Sequence, residues 1–172
     1  MENQKKIGID ARFFGPKDKG FGRYVQNLVL NLEKKDSHNL YFIFLNKLRD
    51  NDYVPKNKNF KKILVSHNCL WPIKLDKKLR QGRLDIMHFT CLPCPIFYKN
   101  NAETVFTVHD LIWKNFPPFK NILKKIFYGL AYFHAMKTAK QIIVNSEYVK
   151  NDILRFYEIN PEKIKVIYEG IS

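Results

Sequence analysis

Short apolar runs alternate with segments of helical period along most of this chain, and that alternation limits the fold more than any single motif does. The runs Lys6–Asp10, Tyr41–Leu45, Lys62–Ser66, Ile86–Phe89, Thr104–Val108, Gln141–Asn145 and Ile164–Ile167 are short and nearly continuous in apolar residues, as strands buried on both faces are. Between them lie helical patterns. Val25, Leu28, Val29 and Leu32 recur at helical spacing, and Trp71 to Gln81, closed by Gly82, predicts a second helix. A longer helix is predicted from Phe119 to Ala139. Another, carrying Val149, Ile153 and Phe156, has Ser146 as its N-cap, and Asn160-Pro161 supplies the turn after it. Strands alternating with helices predict an α/β fold: a doubly wound, mostly parallel, Rossmann-like sheet.

The chain has 172 residues, 45% of them hydrophobic, which is enough for one core, so a single domain over residues 1–172 is expected. No apolar run has transmembrane length, and MENQKKIGID has neither a signal-peptide h-region nor a small-residue cleavage site. Three cysteines do not make a disulfide framework, and the expected location is the cytoplasm. Thirty Lys and Arg against sixteen Asp and Glu give a net charge of +14, which favours anionic partners. A solvated, Lys-rich surface explains the same excess. No nucleic acid is expected, because basic residues are not interleaved with aromatic ones along a strand.

In doubly wound sheets ligands bind at the carboxyl ends of the strands, which directs attention to the residues after each run. Behind Asp10 lies GPKDKGFGRY, with Gly20 and Gly22 at a helix start. Backbone N–H groups and the helix dipole there favour an anion, and missing side chains let a phosphate approach. A plain turn explains the same glycines. The stretch is neither a dinucleotide fingerprint, since Val25 holds the third glycine position, nor a P-loop, since no Gly-Lys-Ser/Thr comes after it. His109 and Asp110 directly follow TVFTV; the imidazole there would either bind a sugar hydroxyl or move a proton, or cap the strand. Cys91 to Cys94 (CLPC) lacks the second pair that zinc needs, and its prolines oppose a redox helix, so reduced loop cysteines are expected and no metal.

Five blocks in order, IGIDARFFGPKDKGFGRYVQNL, DIMHFT with its proline-rich loop, VFTVHDLIWKNFP, QIIVNSEYVKNDIL and NPEKIKVIYEGIS, resemble the N-terminal, acceptor-side domain of GT-B fold retaining glycosyltransferases of the group that includes many bacterial mannosyltransferases. The resemblance implies a hexosyl unit, mannose among the options, moved from a nucleotide sugar to a glycan or lipid-linked acceptor in polysaccharide synthesis. It places Gly20 and Gly22 near the donor diphosphate, favouring the cradle over the turn, and His109, with Asp110, near the donor sugar. No metal cofactor is implied.

The donor-binding domain of such enzymes would follow Ser172. The chain by itself is therefore expected to be inactive, completed by a further domain or by a separate donor-domain chain. A non-catalytic module that binds a phosphate ligand or docks a protein is the alternative. The apolar and lysine residues of Phe119–Ala139 add a possible peripheral contact with an anionic membrane, against which stands an ordinary helix packed on the sheet.

Overall fold

The computed structural model describes residues 3–47, 53–65, 83–91, 101–115 and 122–170. The chain forms two compact units, residues 1–90 with 97–103, and residues 91–96 with 104–172. All strand pairs within each unit are parallel.

In the first unit, β1 (Lys6–Asp10) leads through a 3-10 turn (Pro16–Asp18) to helix α1 (Lys19–Lys35), and β2 (Leu40–Asn46), β3 (Phe60–Val65) and β4 (Ile86–Phe89) come next. β2 lies between β1 and β3, whereas β4 pairs on the other side of β1, with Ile9 level with both Ile43 and His88. The strand order thus reverses beside β1, and such a switch point opens a crevice at the strands' carboxyl ends. Ile9, Ile43, Phe44, Leu45, Met87 and Phe89 are fully buried, which is why their runs read as continuous apolar sequence.

β3 begins two residues before the expected start, at Phe60, whose ring stacks on Tyr41 with centroids 4.3 Å apart. Lys61 and Lys62 interrupt its apolar pattern. Lys61 is exposed, with its ammonium 5.7 Å above the Phe42 ring. The expected helix Trp71–Gln81 lies outside the described residues.

Two acidic side chains tie the end of α1 to the segments between it and β3. Glu33, buried, accepts the backbone N–H groups of Lys56 (2.5 Å) and Asn57 (2.9 Å). Asp36 accepts from the backbone of His38 and Asn39, the Asn39 amide and the Tyr41 hydroxyl, all within 3.0 Å. Burial pushes the Asp36 carboxyl up, but these hydrogen bonds outweigh it and hold the group well below the usual carboxylate range. A depressed folded value means the stabilisation is complete above the unfolded value of 3.8 and is lost as pH falls through the folded one. Asp36→Ala is therefore expected to lower stability at about pH 7 and to match the parent increasingly below about pH 3, as urea unfolding at both pH values would show.

The second unit contains β5 (Glu103–Val108) from its second residue onward, α2 (Ile112–Asn115), α3 (Ile122–Thr138), β6 (Gln141–Val144), α4 (Glu147–Phe156) and β7 (Ile164–Val166), with β6 between β5 and β7. Ser146 caps α4 as expected, its hydroxyl accepting from the Val149 N–H at 3.3 Å, and Val149 and Ile153 are buried. Asn160 accepts from Glu162 N–H and opens the short 3-10 turn that starts at Pro161.

Helix α3 presents Ala131, Tyr132, Ala135 and Met136 to the core, which makes it in part the packed helix that was expected. It departs from that expectation at its other face. Ile122, Leu123, Ile126, Phe127 and Leu130 are exposed. No helix among the described residues is long and apolar enough to cross a membrane.

Candidate active site

The candidate residues fall into two groups, one in each unit. In the first unit, the chain leaves β1 at Asp10, whose buried carboxylate grips the buried Arg12. The guanidinium Nε donates to both carboxylate oxygens at 2.8 and 3.0 Å, and Nη2 lies 2.5 Å from Oδ2. Thr90, at the end of β4, donates its hydroxyl to the Asp10 carbonyl at 2.5 Å. A fork donating to both oxygens fixes the carboxylate and the loop together. Sequence reasoning placed Asp10 at the rim but passed over Arg12. Opposite charges two residues apart at a strand end were the available signal.

The loop then turns back on the helix that it feeds. Gly15 has φ of +102°, and its N–H donates to the Gly22 carbonyl at 3.1 Å. A Cβ on Gly22 would lie 1.8 Å from the Gly15 oxygen and 2.9 Å from that of Phe13, so only glycine fits there. Gly20 is different. It is exposed, and nothing lies within 4 Å of where its Cβ would be. The two glycines therefore separate: Gly22 holds the loop against α1, and Gly20 leaves open backbone in the helix's first turn.

In the second unit, His109 follows β5 as expected. Its side chain is 9% exposed, and Nδ1 lies 3.4 Å from a carboxylate oxygen of Glu169, in the segment after β7. Sequence reading did not pair these residues, which stand 60 positions apart and meet only because β5 and β7 flank β6. Asp110 accepts the Ile112 N–H at 3.1 Å and so starts α2. That turn seats Trp113 against Tyr128, Tyr132 and Gly129 of α3. Burial, followed by the charges of Tyr128 and Asp110, raises the Tyr132 phenol far above its ordinary value. Burial also pushes Tyr157 up to about 12. Both phenols are neutral at physiological pH and behave as packing groups.

Cys91 is a buried thiol, and Cys94 lies outside the described residues. Among the described residues no three of His, Cys, Asp and Glu converge as a metal site would require.

The parallel strands and the helices between them make a Rossmann-like fold, of the kind found in one half of GT-B glycosyltransferases. The description of glycosyltransferase family 4 matches residues 19–172, and the chain belongs to that family. Among solved structures, the wall teichoic acid polymerase TagF superposes with a TM-score of 0.59 at 15% identity, covering 95% of this chain and 38% of that one. At that identity the likeness concerns the fold. This chain thus spans well under half the length of TagF. A search of curated protein sequences gave no match.

Proposed function

We propose that the chain is the acceptor-side half of a retaining hexosyltransferase that moves a sugar, mannose being one option, from a nucleotide sugar to a glycan or lipid-linked acceptor in polysaccharide synthesis. The observation that carries this reading is His109: a mostly buried imidazole at the carboxyl end of β5, with a carboxylate at its Nδ1. In the reaction the bond from the anomeric carbon to the donor phosphate breaks, the bond to the acceptor oxygen forms, and the acceptor's proton leaves with the nucleoside diphosphate. His109 would hydrogen-bond the donor sugar and support the charge that develops as the phosphate departs. Asp110 acts beside it by fixing the backbone that comes after the histidine.

The first turn of α1 supplies the second element of the proposal. With Gly20 open and Gly22 binding the loop, the N–H groups at the start of the helix would face the donor diphosphate, where the helix dipole favours negative charge. The nucleotide pocket would belong to a second domain, in the same protein or in a separate chain, so residues 1–172 alone are expected to show no turnover.

The test uses the two-domain protein. His109→Ala is expected to lower kcat/KM for nucleoside diphosphate release by about 10²–10⁴-fold while leaving the melting temperature within a few degrees. Unchanged turnover would remove His109 from the mechanism.

A further inference from the structure

A contact in the second unit joins residues that the sequence keeps far apart: His109, just past β5, and Glu169, three residues past β7. The sheet brings them together. Val108, Val144 and Val166 are in register across β5, β6 and β7, and the Ile167 N–H donates to the Val144 carbonyl at 2.8 Å, so β6 holds the segment after β7 as far as Ile167. Two strand spacings, about 10 Å, separate β5 from β7. The two side chains close that gap past the end of β6, leaving Nδ1 of His109 3.4 Å from Oε1 of Glu169. Asp110, the carboxylate nearest in sequence, accepts the Ile112 N–H instead.

A carboxylate can only accept a hydrogen bond, so the ring nitrogen that faces it is the one that carries hydrogen. With Nδ1–H held in this way, Nε2 of the neutral ring is left with a lone pair. That choice has a chemical consequence. A lone pair accepts from a hydroxyl and lies favourably beside positive charge, whereas an N–H at the same place would donate and oppose that charge. We infer that Glu169 is a positioning residue: it keeps the hydrogen of neutral His109 on Nδ1, so that the imidazole meets the donor sugar through an Nε2 lone pair, accepting from a hydroxyl and facing the positive charge that builds at the anomeric carbon. The inference rests on the role proposed for His109 and gives Glu169 no contact with substrate. Stability gains little from the pair, because the Glu169 side chain is 48% exposed and an ion pair so open to water is weak.

The position of the hydrogen can be observed directly. In the full 172-residue chain, long-range proton–nitrogen correlation spectra of the His109 ring, taken once rising pH has brought it to its neutral form, are expected to show the Nδ1–H tautomer in excess. Glu169→Ala is expected to shift the ratio toward Nε2–H, the form that an unconstrained histidine prefers, by about tenfold, the low end for a hydrogen bond to a charged group. The melting temperature should stay within a few degrees of the parent's. In the two-domain protein the same substitution is expected to lower kcat/KM by about tenfold, and to lower it no further once His109 is replaced by alanine. An Nε2–H ring in the parent, or a ratio that Glu169→Ala leaves unchanged, would overturn the inference while leaving the case for His109 intact. So would a full additional loss in the His109→Ala background, since Glu169 would then act apart from the imidazole. A shifted ratio with unchanged turnover in His109→Ala would fail the histidine's role itself, and the inference with it; the spectra keep the two failures apart.

Discussion

Alanine at position 22 is expected to destabilise the protein by about 3 kcal/mol, whereas alanine at position 20, in the same turn of the same helix, is expected to be neutral or to stabilise it by up to about 1 kcal/mol. The contrast arises from what each methyl group would meet. At Gly22 it would overlap the Gly15 carbonyl oxygen at 1.8 Å and press on that of Phe13 at 2.9 Å. Both are backbone atoms, with no rotamer to change. Relief requires the loop to leave α1, which breaks the bond from the Gly15 N–H to the Gly22 carbonyl and disturbs a Gly15 conformation that other residues rarely adopt. At Gly20 the methyl would enter open space, and replacing a helical glycine removes disorder from the unfolded chain. Urea unfolding of the two variants decides the matter: equal effects would mean that the loop does not lie on the helix as described.

The same pair shows how far the sequence could be read. GFGRYV places two glycines at a helix start, and their position after β1 was legible because the strand and the helix each have a clear period. Which glycine faces outward was not legible, since that depends on where residues 13–15 fold back. The strands were legible where both faces are buried, as in YFIFL, and less so in β3, where Lys61 and Lys62 mask the pattern. Ser146 announced α4 because capping is a local interaction.

Helix α3 was read correctly as a helix, but not for its faces. Isoleucine, leucine and phenylalanine line the exposed side, while two alanines, Tyr132 and Met136 line the packed one. A tally of apolar letters points the larger side chains inward. Packing chose the smaller residues, which let the helix and Trp113 approach closely, a Cβ at Gly129 falling 3.7 Å from the indole. Glu169 was out of reach for a similar reason: its meeting with His109 is made by strand order, which no local pattern encodes.

Arg12→Ala should produce the other large effect, a loss of about 3–5 kcal/mol, because it strands the Asp10 carboxylate in a site from which water is excluded. The pair itself is not a strong source of stability. Removing two charges from water offsets most of their attraction, so Asp10→Leu/Arg12→Met, which replaces both with apolar groups of similar size, is expected to recover most of what the single substitution loses. The two variants separate an uncompensated buried charge from a lost attraction. If the double variant is as unstable as the single one, the guanidinium contributes through contacts other than Asp10. The pair also positions the loop. Arg12 ties the chain to the carboxyl end of β1 just before the turn that carries Gly15 and packs against Gly22. The stable double variant would therefore have a loop no longer held by a charged fork. Amide exchange of residues 12–15 should then quicken relative to the β1 core even where global stability is restored. Unchanged exchange would mean that the loop's backbone hydrogen bonds, Phe14 N–H to the Ala11 carbonyl and Gly15 N–H to the Gly22 carbonyl, order it without the charged fork.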